Sequence, residues 1–468
     1  MFRGFENILR NRSVTDAQHI TQRVCGVCSV EHGVASVLAQ DMACGVRPTN
    51  NGRLMRNLLH AANFLASHIT HFYHLSALDF IDVTAVLGYT GKDQGLVDLK
   101  AWVKNELATR QINPAAPFLP RYTGAYAADA GLNIGALRHY LDALEMRKQC
   151  QKMGAIFAGK MPHAATLIAG GVIEQADALR IEEARALLLR VQEFVSSTYL
   201  PDVVAVAQAF PDYFKLGRSP GSFLAYGAFP EAGAKGGLFF PEGVVVDGRY
   251  EKVDTKSIAE DVGSSWFSSP SGLSPVNGQT TASPEKAGGY SWLKAPRYAG
   301  RPMEVGSLSR LLAATLSGSS PTIAAAVEGV LKQLNRGVQD LNSVMGRHAS
   351  RAIESVLLAD RCLGWLDELK PGEPCLASFT VPASGQGVGL TEAARGALGH
   401  WIEIRDEKIS NYQLVVPTTW NASPRDDRGT PGPIEQALVG TPIADASQPL
   451  EAARVVRSFD PCLACAVH

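Results

Sequence analysis

Apolar positions recur every three to four residues in several long stretches of this chain, and that spacing predicts helices. After the turn-rich stop Arg47-Pro48-Thr49-Asn50-Asn51-Gly52, a helix is expected from about Arg53 to Ile81. Leu54, Leu58, Leu59, Ala62, Leu65, Ile69, Phe72 and Leu75 set its rhythm. A second helical block covers about Ile134 to Lys160. A third covers about Glu174 to Ser197, where Ala176, Leu179, Ala184, Leu187, Leu188, Val191 and Val195 form one apolar stripe. Helix returns from about Pro321 to Leu369.

Between about Leu216 and Arg301 the rhythm breaks into short apolar runs among Gly, Pro and Ser. Val244-Val245-Val246, after Gly243, reads as a strand there. From Ala377 to Thr419 the pattern alternates, with Trp401-Ile402-Glu403-Ile404 and Tyr412-Gln413-Leu414-Val415-Val416 as strand candidates. The predicted class is α+β, predominantly helical with β-rich excursions, over a single unit spanning 1–468. Ser384-Gly385-Gln386-Gly387-Val388-Gly389 is the nearest thing to a phosphate loop. Its third glycine comes one residue too early for a dinucleotide fingerprint and no Lys-Ser/Thr follows, so nucleotide binding is not expected.

Charge adds exclusions. With 44 basic and 45 acidic residues, the chain lacks the basic excess of a nucleic-acid or anionic-membrane binder. At 46% hydrophobic and 19% charged it can bury a large core and still present a partner-covered face. No apolar run is long enough to span a bilayer. Met1-Phe2-Arg3-Gly4-Phe5-Glu6 has no basic-then-apolar export signal, which leaves the cytoplasm or export in the company of a signal-bearing partner.

The eight cysteines are too sparse for a disulfide scaffold in a chain of 468 residues. Four of them form two C-x-x-C pairs, Cys25/Cys28 followed by His32, and Cys462/Cys465 followed by the last residue, His468. Two such pairs can give four thiolates to one soft or borderline metal. The halves of a structural zinc site usually lie within a few tens of residues, whereas 434 positions separate Cys28 from Cys462. A structural zinc site and a catalytic or redox metal both remain open on spacing alone. His68, His71 and His74 recur at three-residue steps that drift around a helix, with no carboxylate in zinc-motif spacing, so packing roles are expected of them.

The flanks add more. Arg3-Gly4-Phe5-Glu6, Thr21 to Cys28, His71-Phe72-Tyr73, Pro296-Arg297-Tyr298, Glu304-Val305-Gly306, Arg395-Gly396-Ala397-Leu398-Gly399-His400, Val416 to Asn421 and Ser458 to His468 are similar, in order and end to end, to the signatures of nickel–iron hydrogenase large subunits. The resemblance implies that family's fold and reversible heterolytic oxidation of H2 to protons and electrons. It implies Cys25 and Cys462 as terminal nickel ligands, and Cys28 and Cys465 as bridges to an iron carrying one CO and two cyanides. Cys462 would take the proton. Arg395 would pair with one cyanide, Thr418 with the other. His32 would orient Cys28, and Asp460 would anchor Arg395 and the C-terminal loop. His468, Glu6 and the carbonyl of Leu414 would bind magnesium or iron. A small subunit carrying iron–sulfur clusters would take the electrons, because this chain has no cysteines left in cluster-binding spacing. Periplasmic location by co-export would follow from that pairing. The other functions compatible with these residues are a hydrogen-sensing or inactive relative and, more remotely, the zinc protein.

Departures accompany the resemblance. The family has upstream strands, with a proton-relay Glu, before the Arg-Gly-x-Glu segment, so a chain truncated at its N-terminus is expected. Ala394, Ser67 and Ser307 stand where Pro, Asp and Pro are usual. Ser67 and Lys160-Met161-Pro162-His163-Ala164-Ala165-Thr166 resemble the selenium-containing branch, whose selenocysteine position here holds Cys462.

Overall fold

The computed structural model describes residues 2–109, 122–232 and 237–468. Helix outweighs strand, at 51% against 15%, in the mixed architecture the pattern predicts. The helices that matter for the site are α1 (Ser29–Ala43), α2 (Asn50–Thr70), α3 (Ala130–Ala158), α4 (Ala178–Phe194), α5 (Ser307–Ser317) and α6 (Val344–Glu368). Helix α2 packs on α3 and α6, and α4 joins α3 and α6. Leu54, Leu58, Leu65 and Ile69 of α2 lie in this apolar core with Met153, Leu188 and Leu358. Thr49 caps α2, its Oγ1 accepting from the Gly52 N–H at 3.1 Å. The helix continues through a π turn at His71–Ser76 into a 3-10 turn at Ala77–Asp79, so the segment expected to end near Ile81 does so in looser geometry.

Region 216–301 is a set of short strands, among them Ser222–Ala225, Gly243–Val246 and Ala295–Tyr298. Beyond α6 comes an antiparallel meander of β1 (Ser384–Ala393), β2 (Gly396–Arg405) and β3 (Lys408–Val415). Strand β1 lies across α1, and here the Gly-x-Gly-x-Gly run finds its use. A Cβ on Gly385, Gly387 or Gly389 would fall 2.7, 2.0 or 1.9 Å from the carbonyl oxygen of Ala43, Ala39 or Ala35. Three bare glycines on one face of a strand meet three alanines spaced one helical turn apart, so the backbones touch. This is close packing, and it fixes α1 against the hairpin β1–β2.

Helix α1 itself was not visible in the periodicity. Apart from Leu38 and Met42 every residue is buried, Glu31, His32, Ser36 and Gln40 included, so no polar stripe marks it. The two chain ends meet beside it, where the Gly4 N–H donates to the His468 carbonyl at 3.2 Å.

Candidate metal centre

Each C-x-x-C pair sits at a helix start. Cys28 is the N-cap of α1, and Cys462 is the N-cap of the short helix Leu463–Ala466. The exposed N–H groups of such positions favour anionic sulfur. The N–H groups of Val27 and Cys28 both donate to Cys25 Sγ at 3.2 Å. Arg3 holds the two loops together, its guanidinium donating to the carbonyls of Val24 at 2.8 Å, Arg23 at 3.3 Å, Val467 and Ala464. In the sequence Arg3 is legible only as part of a motif, because its partners lie up to 464 positions away.

The result is one buried group of four free sulfurs, all within 4.8 Å of one another. Cys28 and Cys465 approach to 2.9 Å, Cys462 and Cys465 to 3.0 Å, and Cys25 and Cys462 to 3.5 Å. Thiols this crowded cannot all ionise in a dry site. Hydrogen bonds from Cys25, Cys28 and Cys465, and the charge of Arg395, hold Cys462 far below an ordinary thiol. Cys28 is pushed well above the ordinary value by sharing hydrogen bonds with Cys25 and the other two thiols, Cys465 chiefly by burial. A metal cation removes this conflict by accepting all four as thiolates.

Arg395 stands over this cluster, only 5% exposed. Its Nη2 lies 2.9 Å from Asp460 Oδ1 and its Nη1 donates to Ser67 Oγ at 3.1 Å. Burial opposes its charge, but Asp460 and the thiols of Cys462, Cys28 and Cys465 outweigh that and hold it protonated. Its Nε and Asp460 Oδ2 are buried without a partner. A buried donor and a buried acceptor left open beside four sulfurs fit a site made to receive a group with polar ligands of its own. Asp460 takes a left-handed backbone, φ 55°, which Asp tolerates better than most residues. Thr418 Oγ1 accepts the Cys462 N–H at 3.0 Å, which leaves its own proton to donate elsewhere.

His32, expected to orient Cys28, is held from its other side. Its Nδ1 pairs with His400 Nε2 at 3.1 Å, and its link to Cys28 is the backbone bond from its N–H to the Cys28 carbonyl at 3.4 Å. Only Nε2 is left to face a thiolate. Burial, aided by His468 and Arg3, lowers its pKa to about 3, so the ring is neutral. His400 continues to Tyr412 Oη at 2.8 Å, which donates to Ser36 at 3.0 Å.

A second polar site lies at the joined termini. His468 Nε2 is 3.8 Å from Glu6 Oε1, while its Nδ1 pairs with the Cys465 carbonyl at 2.8 Å. Leu414 meets Glu6 through its N–H, at 2.9 Å. Glu260 and Lys294, unforeseen from sequence, complete the pocket, with Lys294 Nζ 3.3 Å from Glu260 and 3.6 Å from Glu6. Burial would raise the Glu6 pKa, but Lys294, His468 and Thr280 bring it down to about 2. The three helix histidines go to three separate partners, His68 to Glu354, His71 to the Arg457 carbonyl and His74 to the Tyr140 carbonyl.

Comparison with known proteins accords with this geometry. The profile of the nickel-dependent hydrogenases matches residues 3–468. The periplasmic NiFeSe hydrogenase large subunit of Desulfomicrobium baculatum is 40% identical, over 100% of this chain and 88% of its own length. The hydrogenase-1 large chain of Escherichia coli K12 is 34% identical, over 100% and 89%. The Ni-Fe-Se hydrogenase of D. vulgaris Hildenborough in the reduced state superposes with a TM-score of 0.89 at 39% identity, covering 100% of this chain and 92% of that one. Matched from end to end in sequence and fold, the chain belongs to the large-subunit family of the nickel-dependent hydrogenases, oxidoreductases that act on hydrogen.

Proposed function

We propose that Cys25, Cys28, Cys462 and Cys465 hold the nickel–iron centre that membership of this family implies, with Cys25 and Cys462 as terminal nickel ligands and Cys28 and Cys465 as the bridges. The observation that carries the reading is the convergence of four buried sulfurs from opposite chain ends beneath one buried arginine. When bound, the centre supplies the electrophile at which H2 is split heterolytically and the site from which two electrons leave. The iron would carry one CO and two cyanides in this reading, Arg395 pairing with one cyanide and the Thr418 hydroxyl with the other; the unpartnered Arg395 Nε and the free Thr418 proton support it.

The chain's own residues then do three things. Cys462 Sγ takes the proton, because a terminal thiolate is bound to one metal and keeps more of its basicity than a bridging one. Arg395, fixed by Asp460 and Ser67, keeps a positive charge over the site in surroundings that exclude water, where such a charge acts most strongly. His32 and Asp460 orient the thiolate loops and the guanidinium.

Glu6, His468 and Leu414 would hold a magnesium or iron ion that ties the C-terminus down, in a pocket also lined by Glu260 and Lys294. Large subunits of this family work with a small subunit, which here carries the iron–sulfur clusters. Among the described residues no second group of cysteines gathers that could hold an iron–sulfur cluster, which supports an electron path that continues in the partner. No helix among the described residues is long and apolar enough to cross a membrane. Periplasmic location by co-export with the small subunit completes the reading.

The test is infrared spectroscopy on the chain purified with its small subunit. One CO band and two cyanide bands, with nickel and iron in elemental analysis, are expected. Hydrogen-dependent reduction of an artificial acceptor should accompany them. Zinc without these bands would overturn the assignment, and bands without turnover would turn it towards hydrogen sensing.

A further inference from the structure

Arg395 sits on an unusual support. Ala393 pairs with Gly396, so Ala394 and Arg395 alone form the turn between β1 and β2. Two-residue hairpin turns favour left-handed backbone at their central positions, matching the twist of the strands. Neither Ala394 nor Arg395 has a positive φ; Gly396, just after them, does, at 133°. A turn of this kind does not hold its own geometry against the strand twist, so neighbouring side chains must hold it. Arg310 does part of this, donating to the carbonyls of Ala393 and Ala394 at 3.0 Å each. On its other side the turn lies near the carboxyl of Glu31.

Glu31 is fully buried, yet its hydrogen-bond partners are neutral donors. Asn63 Nδ2 lies 2.9 and 2.8 Å from its two oxygens. The same Nδ2 lies 3.0 Å from the carbonyl of Val27, between Cys25 and Cys28. One helical turn along α2 from Asn63 is Ser67, which receives Arg395 Nη1. Glu31 is thus where the Cys25–Cys28 loop, α2 and the Arg395 turn meet. Burial pushes its pKa up to about 7 against the opposing pull of these hydrogen bonds and of Arg395. A carboxyl buried without an ion pair is costly, and an apolar side chain would fill the space more cheaply.

We propose that Glu31 is a positioning residue for Arg395: through Asn63, one turn of α2 from the Ser67 that receives Arg395, it locks the arginine-bearing turn to the loop that carries Cys25 and Cys28. Its role in turnover rests on the reading of those residues as the hydrogen-activating site. The lock itself is a property of the chain and can be measured separately.

The experiment compares E31L, E31Q and N63A with wild type, each as the complex with the small subunit. Hydrogen–deuterium exchange of the peptide covering Thr391 to Gly396 reads the lock whether or not metal is loaded. E31L should raise exchange there and leave α3 and α4 unchanged. E31Q keeps an oxygen for the bond and should restore most of the protection. Turnover in E31L should fall on the order of ten- to a hundredfold, as for a slightly misplaced group, with KM for H2 little changed. The cyanide bands should shift in E31L and return towards wild type in E31Q. Alanine at 63 removes the bridge between Glu31 and the Val27 carbonyl, so N63A should reproduce the E31L effect, and the double variant should be no worse than either alone. Wild-type exchange in E31L and N63A, or effects that simply multiply in the double variant, would overturn the proposal. Should E31L not fold, E31Q and N63A still decide it through the same exchange measurement. Raised exchange in a wild type-like pattern of rescue, with no CO or cyanide bands in any sample, would uphold the lock and overturn only the reading of the metal site.

Discussion

Two buried arginines lie close together in this protein and are treated in opposite ways. Arg310, on α5, is completely exposure-free, and every one of its nitrogens is used. Its Nε and Nη2 take Glu354 at 2.5 and 2.7 Å, its Nη1 takes Glu392 at 2.6 Å, and the Ala393 and Ala394 carbonyls accept the rest. Arg395, on the turn that Arg310 grips, has one carboxylate, one hydroxyl and an empty Nε. A closed network specifies shape; a network left open beside four sulfurs is prepared for something else. The difference teaches where scaffold ends and site begins, and each side of it can be broken separately.

The largest effect is expected at the sulfurs themselves. C465S removes one of four converging ligands, and nickel and iron in the purified complex should fall to background together with turnover. A variant that retained both metals would show that Cys465 is not a ligand.

The two arginines give the sharpest dissociation under one and the same exchange. Lysine keeps the charge but not the planar fork. R310K strands carboxylate and carbonyl partners in the interior, so a loss of roughly 3 kcal/mol or more in unfolding free energy is expected, at about 1–3 kcal/mol for each buried group left unpaired. R395K should leave the melting temperature nearly unchanged while turnover drops on the order of a hundredfold, the scale of one lost electrostatic contact in an active site. Thermal unfolding and hydrogen-dependent dye reduction on both variants check this. If R310K lost only activity, or R395K only stability, the division drawn between the two would fail.

How much of this could be read from the residues follows the same line. The cysteines at both ends, Arg395, Asp460 and Thr418 were legible because their residue types and flanking motifs carry chemistry. The structure brings Cys25, Cys28, Cys462 and Cys465 together, with Arg395, Asp460 and Thr418 beside them. The helices around α2, α3, α4 and α6 were legible because large apolar residues recur along them at helical spacing, α2 included although it is buried on nearly every side. Helix α1 was not, since small residues and the polar Glu31, His32, Ser36 and Gln40 fill its buried faces in place of large apolar ones. Helix α5 falls outside the helical stretches read from the pattern, although Leu308, Leu311 and Leu312 recur along it. Arg310, Glu354 and Glu392 were invisible as a unit. Charged residues 44 and 82 positions from their partner look like surface until the fold closes around them. The glycines of β1 drew attention for a phosphate chemistry they do not perform, because a sequence shows missing side chains but not the Ala35-Ala39-Ala43 face that requires them to be missing.

The smallest expected effect tests the closed network by pH. Arg310 has one charge and two carboxylates. Glu354 takes two of its contacts and, although burial opposes ionisation, Arg310 and His68 bring its pKa down to about 2. Glu392 takes the weaker share, and burial, only partly offset by Arg310 and the Tyr226 N–H, raises its pKa to about 7 from 4.5. The signs are opposite. Glu354 contributes stability that is present above pH 4.5 and is lost as pH falls towards 2. For Glu392 the folded state binds the proton more tightly, so stability declines as pH rises from 4.5 through 7 and then levels off. Of these two carboxylates, only Glu392 changes its contribution between pH 5 and 8. In E392Q the amide stands in for the protonated acid, so the variant should melt close to wild type near pH 5. It should gain on wild type as pH rises through 7, by a few degrees in a chain of this size. Melting temperatures of the two complexes across that range decide the matter. A constant difference would mean that Glu392 stays ionised throughout, and that Arg310 holds both carboxylates as equals.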